Sequence, residues 1–168
     1  MYSQVIDPLN KMPVNPKNNM PAKNQQQDLS TERVVSNIPK GGTENEQTWV
    51  YPSPQMFWNA LVRKDKVEGA KEEDMDVVVS VHNNMNERTW NEVMKWEELK
   101  SNGAYLGGPP KLLRFEGKPY DLSIKARLKM FFGHPAPFDR HDWWVDQGGR
   151  INRYIIDYYH DESTSHQD

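Results

Sequence analysis

The chain contains no cysteine among its 168 residues. That absence excludes disulfides, thiolate metal ligands, a cysteine nucleophile and a CxxCH segment for covalent attachment of a cofactor. Any thiol chemistry must use a partner's thiols. A basic excess is missing as well: 21 Lys and Arg stand against 24 Asp and Glu, a net charge of -3. The chain therefore lacks the electrostatic footprint of a nucleic-acid binder, and no nucleic acid is expected as a partner. No apolar run approaches the roughly 20 residues of a membrane-spanning helix. The N-terminus has neither a hydrophobic signal stretch nor an Arg-rich amphipathic presequence, since the first arginine is Arg33. The expectation is a soluble or peripheral protein without an N-terminal targeting signal.

Aromatic residues are also unevenly distributed. The first forty-odd residues hold no Trp or Phe and are crowded with Asn, Gln, Lys and Pro, whereas all six Trp lie between Trp49 and Trp144. Chain without large apolar side chains cannot offset its ordering entropy. Residues 1–46 are accordingly expected to form a disordered arm carrying two Met-Pro units, Met12-Pro13 and Met20-Pro21. Residues 47–160 form the domain, and residues 161–168 a polar tail.

Within the domain, Ser53 and Pro54 make a helix start, with Phe57, Trp58 and Leu61 on an inward stripe. Asp74 is expected to cap a second helix in which Met75, Val78, Val79 and His82 share one face at i, i+3, i+4 and i+7. Asn83-Asn84-Met85-Asn86 reads as a turn, followed by a third helix from Glu87 to Leu99. Gly107-Gly108-Pro109-Pro110 is a bend, and Leu112 to Phe115 a short strand. Ser123 caps a fourth helix over 124–132, with Lys125, Arg127 and Lys129 forming either a solvated face or a partner for anionic groups. A turn at 147–150 leads into an aromatic and β-branched strand over 151–159. The fold class is α+β: a small domain of about four helices with a short antiparallel sheet or hairpin near the C-terminus.

His82 is the residue with two readings. A lone His on an apolar face is commonly a hydrogen-bonded core residue, yet a neutral imidazole in an aromatic setting also suits a haem iron. The densest polar-aromatic string is Pro137-Phe138-Asp139-Arg140-His141-Asp142-Trp143-Trp144. Asp139, His141 and Asp142 lie too close in sequence to converge from one strand without a bend, so a structural network with an Arg-Asp pair is expected there.

Several strings together resemble the holocytochrome c synthases, or cytochrome c-type haem lyases. They are Trp49-Val50-Tyr51-Pro52-Ser53 with Gln55-Met56-Phe57-Trp58-Asn59-Ala60, then Arg114-Phe115, then Pro137 to Trp143, then Arg153-Tyr154 with Ile156-Asp157-Tyr158-Tyr159. The resemblance runs in order from about Trp49 to Tyr159. It implies that His82, in Val81-His82-Asn83-Asn84, is the axial ligand to haem iron, and that Glu87 supports the site as its second catalytic residue. It further implies cofactor-binding roles for Trp58, Arg140 and His141 beside His82. The implied activity is lyase chemistry that joins haem b, as substrate, to the CxxCH cysteines of apocytochrome c, with apocytochrome c1 as a second client. The implied location is the mitochondrial intermembrane space, peripherally on the inner membrane. Relatives of this kind continue past the Asp-Tyr-Tyr string and carry Cys-Pro units in the arm, where this chain has Met-Pro. A non-catalytic haem carrier and an interaction module remain as alternatives. The substrate segment is expected to dock near Trp49, Trp58 and Trp90.

Overall fold

The computed structural model describes residues 16–43, 46–105 and 107–160. Its elements in chain order are β1 (Val35–Pro39), β2 (Thr48–Val50), α1 (Pro54–Arg63), α2 (Met75–Ser101), β3 (Lys111–Gly117), α3 (Ile124–Phe131), β4 (Asp139–Gln147) and β5 (Arg150–Tyr158), with short 3-10 turns at Pro16–Asn19 and Glu72–Asp74. Among the described residues, three α-helices and two antiparallel sheets make an α+β architecture. The sheets are β1-β2 and β3-β4-β5.

Two helix starts form as their residues dictate. Ser53 accepts from Met56 N ahead of Pro54, and Ser123 accepts from Ala126 N; each such cap is worth about 1 kcal/mol. Asp74 differs. It makes no capping bond, because the Glu72–Asp74 turn already leads the chain into α2. The two helices expected over 74–82 and 87–99 are one helix of 27 residues. Neither glycine nor proline occurs between Met75 and Ser101, and the asparagines cost only about half a kcal/mol each in helix propensity, which packing readily overrides. Asn86 turns its side chain back to the carbonyl of His82 at 3.0 Å, so it extends the helix where a cap was expected. The helix ends where Asn102 takes the left-handed conformation.

The arm expected before Gln47 does not stay apart from the fold. Val35–Pro39 pairs antiparallel with Thr48–Val50, and Ile38 joins Trp49, Trp90, Val93, Leu112, Trp143 and Val145 in the core. One buried Ile and one strand pairing suffice to recruit a polar segment. Further upstream, Asn59 Nδ2 donates to Asn18 O and Met20 O, which seats the Met20-Pro21 unit on α1. Met12-Pro13 and the 161–168 tail lie outside the described residues.

In the larger sheet, β4 is central. Gly148 and Gly149 both take positive φ in the turn to β5, the conformation a two-residue type I′ hairpin needs. Between Leu112 and Arg114 the register to β4 slips. That bulge lets Leu112 and Phe115 face the same side, opposite Val145 and Trp143. The small sheet joins the large one through Leu112, whose carbonyl accepts from Gly41 N and from Trp49 Nε1. α2 lies across this core face, and Trp49, Trp58 and Trp90 are all buried. Trp49 and Trp90 belong to the core and Trp58 is buried on α1, so these rings are not themselves exposed as a docking face.

Candidate functional site

His82 is half-buried on α2 and meets side chains from three directions. Phe57 of α1 approaches edge-on with ring centroids 5.7 Å apart. His141 of β4 lies 6.3 Å away, centroid to centroid. Asn86, one turn further along α2, places Nδ2 3.1 Å from His82 Nδ1. Burial first, and then the neighbouring His141, hold the His82 imidazole below its ordinary value, with Asp139 partly opposing them. The ring is therefore neutral at physiological pH, the form that ligates a metal.

Alternation along β4 puts His141, Trp143 and Val145 on the α2 side and Arg140 and Asp142 on the other. His141 is 9% exposed. Its Nε2 meets Asp139 Oδ2 at 3.1 Å, its ring stands edge-on to Tyr158 at 5.3 Å, and its Nδ1 is buried without a partner. Burial raises the Asp139 carboxyl, but the hydrogen bond from His141 and the backbone bond at Arg140 outweigh it, leaving the group below its ordinary value. Tyr158 is pushed up to about 12, chiefly by burial, although its contact with Thr89 pulls the other way. Asp139 and His141 thus do converge, being two apart on one strand face. Asp142 does not join them.

Arg140 points away from His82. Its guanidinium grips Asp142 through Nε at 3.1 Å and donates to Asp121 O at 3.2 Å. This is the expected Arg-Asp pair, and it commits Arg140 to the opposite face of the sheet from His141. Trp58 is buried on α1 beside Gln26, Gln27 and Glu72, while its neighbour Phe57 supplies the aromatic edge at His82. On α3, Lys125 and Arg127 are exposed, and Lys129 covers the Tyr159 ring at 4.5 Å.

Glu87 holds the site's frame. Ser36 Oγ, Tyr51 OH and Asn37 N donate to its Oε1 at 2.6, 2.9 and 3.2 Å. One carboxylate so ties α2 to β1 and to the segment after β2. Burial, and then the Glu87 carboxylate against the opposing bond from Ser36, drive Tyr51 far above the ordinary phenol range. Of the five positions expected from the resemblance, His82 and His141 come together and Glu87 braces the helix that carries His82. Arg140 and Trp58 lie elsewhere. Asn86 and Phe57 were missed as neighbours of His82. Asn86 would follow from the i, i+4 spacing once the helix is known to be continuous.

The setting offers a metal one point of attachment, the neutral His82 imidazole beside Phe57 and the buried His141. His82 lines neither of two concavities of about 360 and 310 Å³, which lie against Glu97 and Asn152 and against Trp58 and Glu72. The molecule thus defines a class: a small α+β domain offering one neutral histidine from a long helix laid over an antiparallel sheet. The family model for cytochrome c/c1 heme lyase matches residues 1–109 and 100–168. Holocytochrome c-type synthase of Gallus gallus is 45% identical over 157 residues, covering 92% of this chain and 55% of that protein. The Homo sapiens protein of the same name is 44% identical, covering 92% and 56%. Holocytochrome-c synthase of Saccharomyces cerevisiae is 41% identical over 175 residues, covering 92% and 63%. The chain belongs to the cytochrome c/c1 heme lyase family. It spans little more than half the length of these relatives. No solved structure matches it.

Proposed function

We propose that this chain binds haem through His82 and promotes its covalent attachment to apocytochrome c. The observation that carries the reading is a desolvated, neutral imidazole held by Asn86 and bordered by Phe57 and His141, in a chain whose family acts on haem. His82 takes one axial position of the substrate iron, and the histidine of the substrate's CxxCH segment takes the other. The two substrate thiols then lie beside the haem vinyl groups. Each S–H adds across one vinyl: the sulfur bonds to the carbon next to the ring, and the hydrogen goes to the terminal carbon. No electrons are gained or lost overall, and no enzyme thiol is needed, which agrees with a cysteine count of zero.

Positioning carries much of the rate in this reading, since near-attack geometry is worth up to about 7 to 11 kcal/mol in favourable cases. Glu87 contributes by fixing α2, and with it His82, against β1. The substrate is haem b, whose vinyls are free. Apocytochrome c is the client, with apocytochrome c1 a second, and the setting is the mitochondrial intermembrane space. Peripheral contact with the inner membrane belongs to the same reading. It is supported by α3, where Ile124, Leu128, Phe131 and Phe132 are exposed at helical spacing beside Lys125 and Arg127.

The test combines the purified chain, reduced haem, reductant and a peptide bearing CxxCH. Covalent haem-peptide should form, and a peptide with Ala in place of the CxxCH histidine should yield far less. His82→Ala should lose most bound haem with its circular dichroism unchanged. Retention of haem by that variant sinks the ligand assignment. Haem binding without covalent product favours a carrier.

A further inference from the structure

The hydrogen-bond partner of His82 Nδ1 is Asn86, which is 8% exposed and held one helical turn away. Its Nδ2 reaches both Nδ1, at 3.1 Å, and the carbonyl oxygen of His82, at 3.0 Å. A group that donates to Nδ1 selects the tautomer with hydrogen on Nε2. A ligand that gives its Nε2 lone pair to iron has the hydrogen on Nδ1 instead, and that N–H needs an acceptor. The two states of the imidazole therefore ask opposite things of the same neighbour. An asparagine amide can satisfy both, because one arm donates and the other accepts. A carboxylate or an aliphatic side chain cannot.

We propose that Asn86 is the positioning residue that sets the tautomer of His82. With Nδ2 toward the ring, Nε2 carries hydrogen and the helix is closed by the bond to His82 O. Turning the amide about its Cβ–Cγ bond brings Oδ1 to Nδ1, draws the ring hydrogen there and frees the Nε2 lone pair for haem iron. The turn gives up the side-chain bond from Nδ2 to His82 O, so haem loading competes with that bond. A neutral amide oxygen is a weaker acceptor of Nδ1–H than a carboxylate, so it makes the imidazole a less strongly donating ligand. That keeps the axial bond weak enough for the product to leave. Phe57 and His141, the other neighbours, pack against the ring, and Asp139 is engaged with His141.

This inference rests on haem ligation by His82, and its experiment separates the two. The full chain and its Asn86→Asp, Asn86→Leu and His82→Ala variants are titrated with ferrous haem. The iron-histidine stretch is recorded by resonance Raman and the midpoint potential by spectroelectrochemistry. Asn86→Asp, nearly identical in shape, should raise the stretching frequency, lower the potential and tighten haem by about tenfold or more. Asn86→Leu should weaken haem by a similar factor. Unchanged frequency and affinity in Asn86→Asp, while His82→Ala loses haem, overturns the tautomer role and leaves the ligand assignment standing. Retention of haem by His82→Ala overturns both.

Discussion

Two carboxylates are buried on opposite faces of the β3-β4-β5 sheet, and they are satisfied in contrasting ways. On the outer face Asp142, 0% exposed, is surrounded by cations: Arg140 Nη2 at 3.0 Å, Lys118 Nζ at 3.4 Å and a short contact from Arg153. On the α2 face Glu97, 1% exposed, is held mainly by neutral donors, a short bond from Tyr154 and the Asn152 amide at 2.9 Å, with Lys100 more distant at 3.7 Å. Burial raises the Asp142 carboxyl, but the bonds from Arg153 and Arg140 outweigh it and hold the group below its ordinary value. The α2 face is the one that carries His82 and His141. On that face burial, and then His141, keep the His82 imidazole neutral, while the cations gathered around Asp142 anchor the other face.

Removing Asp142 should break this comparison most strongly. Asp142→Ala leaves Arg140 buried without its counter-charge, and the expected loss of folding stability is about 3 to 5 kcal/mol, read from urea unfolding. Glu97→Ala should cost less, about 2 to 3 kcal/mol, because the groups left behind, Tyr154 OH and the Asn152 amide, are neutral. Equal losses in the two variants would show that the chemistry of the partners does not decide the outcome.

Acid should act on the α2 face through His82. The unfolded chain takes up the His82 proton near the ordinary value of 6.5, whereas the folded chain does so at a lower pH. Protons therefore favour the unfolded chain in that window. Stability is full above the ordinary value and falls as pH drops toward the depressed one, by up to about 1.4 kcal/mol per pH unit. Asp139, depressed below 3.8, adds a second loss at lower pH as it becomes protonated in the folded chain. A His82→Gln variant should flatten the first slope in unfolding curves between about pH 5.5 and 7.5. A slope unchanged by that substitution would place the titration elsewhere. The smallest effect belongs to Arg153→Ala. Its side chain is 46% exposed and Asp142 keeps Arg140 and Lys118, so the loss should stay below about 1 kcal/mol in the same assay.

Where local chemistry was decisive, the sequence was readable. Ser53 and Ser123 capped the helices they announce, and the two glycines before Arg150 made the hairpin turn. The Arg-Asp pair expected in the Pro137 to Trp144 string is there, between Arg140 and Asp142. Where the outcome depended on distant partners, it was not readable. Asn83 to Asn86 look like a turn, but they lie within a helix because α2 packs on the sheet along its length. Val35–Pro39 looks like part of a polar arm, but Ile38 finds the core and Glu87 accepts from Ser36 and Asn37.

By itself the sequence determined the family. With no cysteine it excludes any thiol of its own, and its ordered aromatic strings carry the resemblance to the haem lyases. Within a regular strand such as β4 a period of two sets which side each residue takes, but the bulge in β3 breaks that period between Leu112 and Arg114. Only the tertiary structure decided which of the implied residues share a place. His82 and His141 meet because α2 crosses β4, Arg140 departs because it stands on the opposite side of the same strand, and Asn86 reaches His82 because the helix is unbroken. Burial, register and helix continuity are settled by contacts between segments far apart in the chain, and no local pattern encodes those.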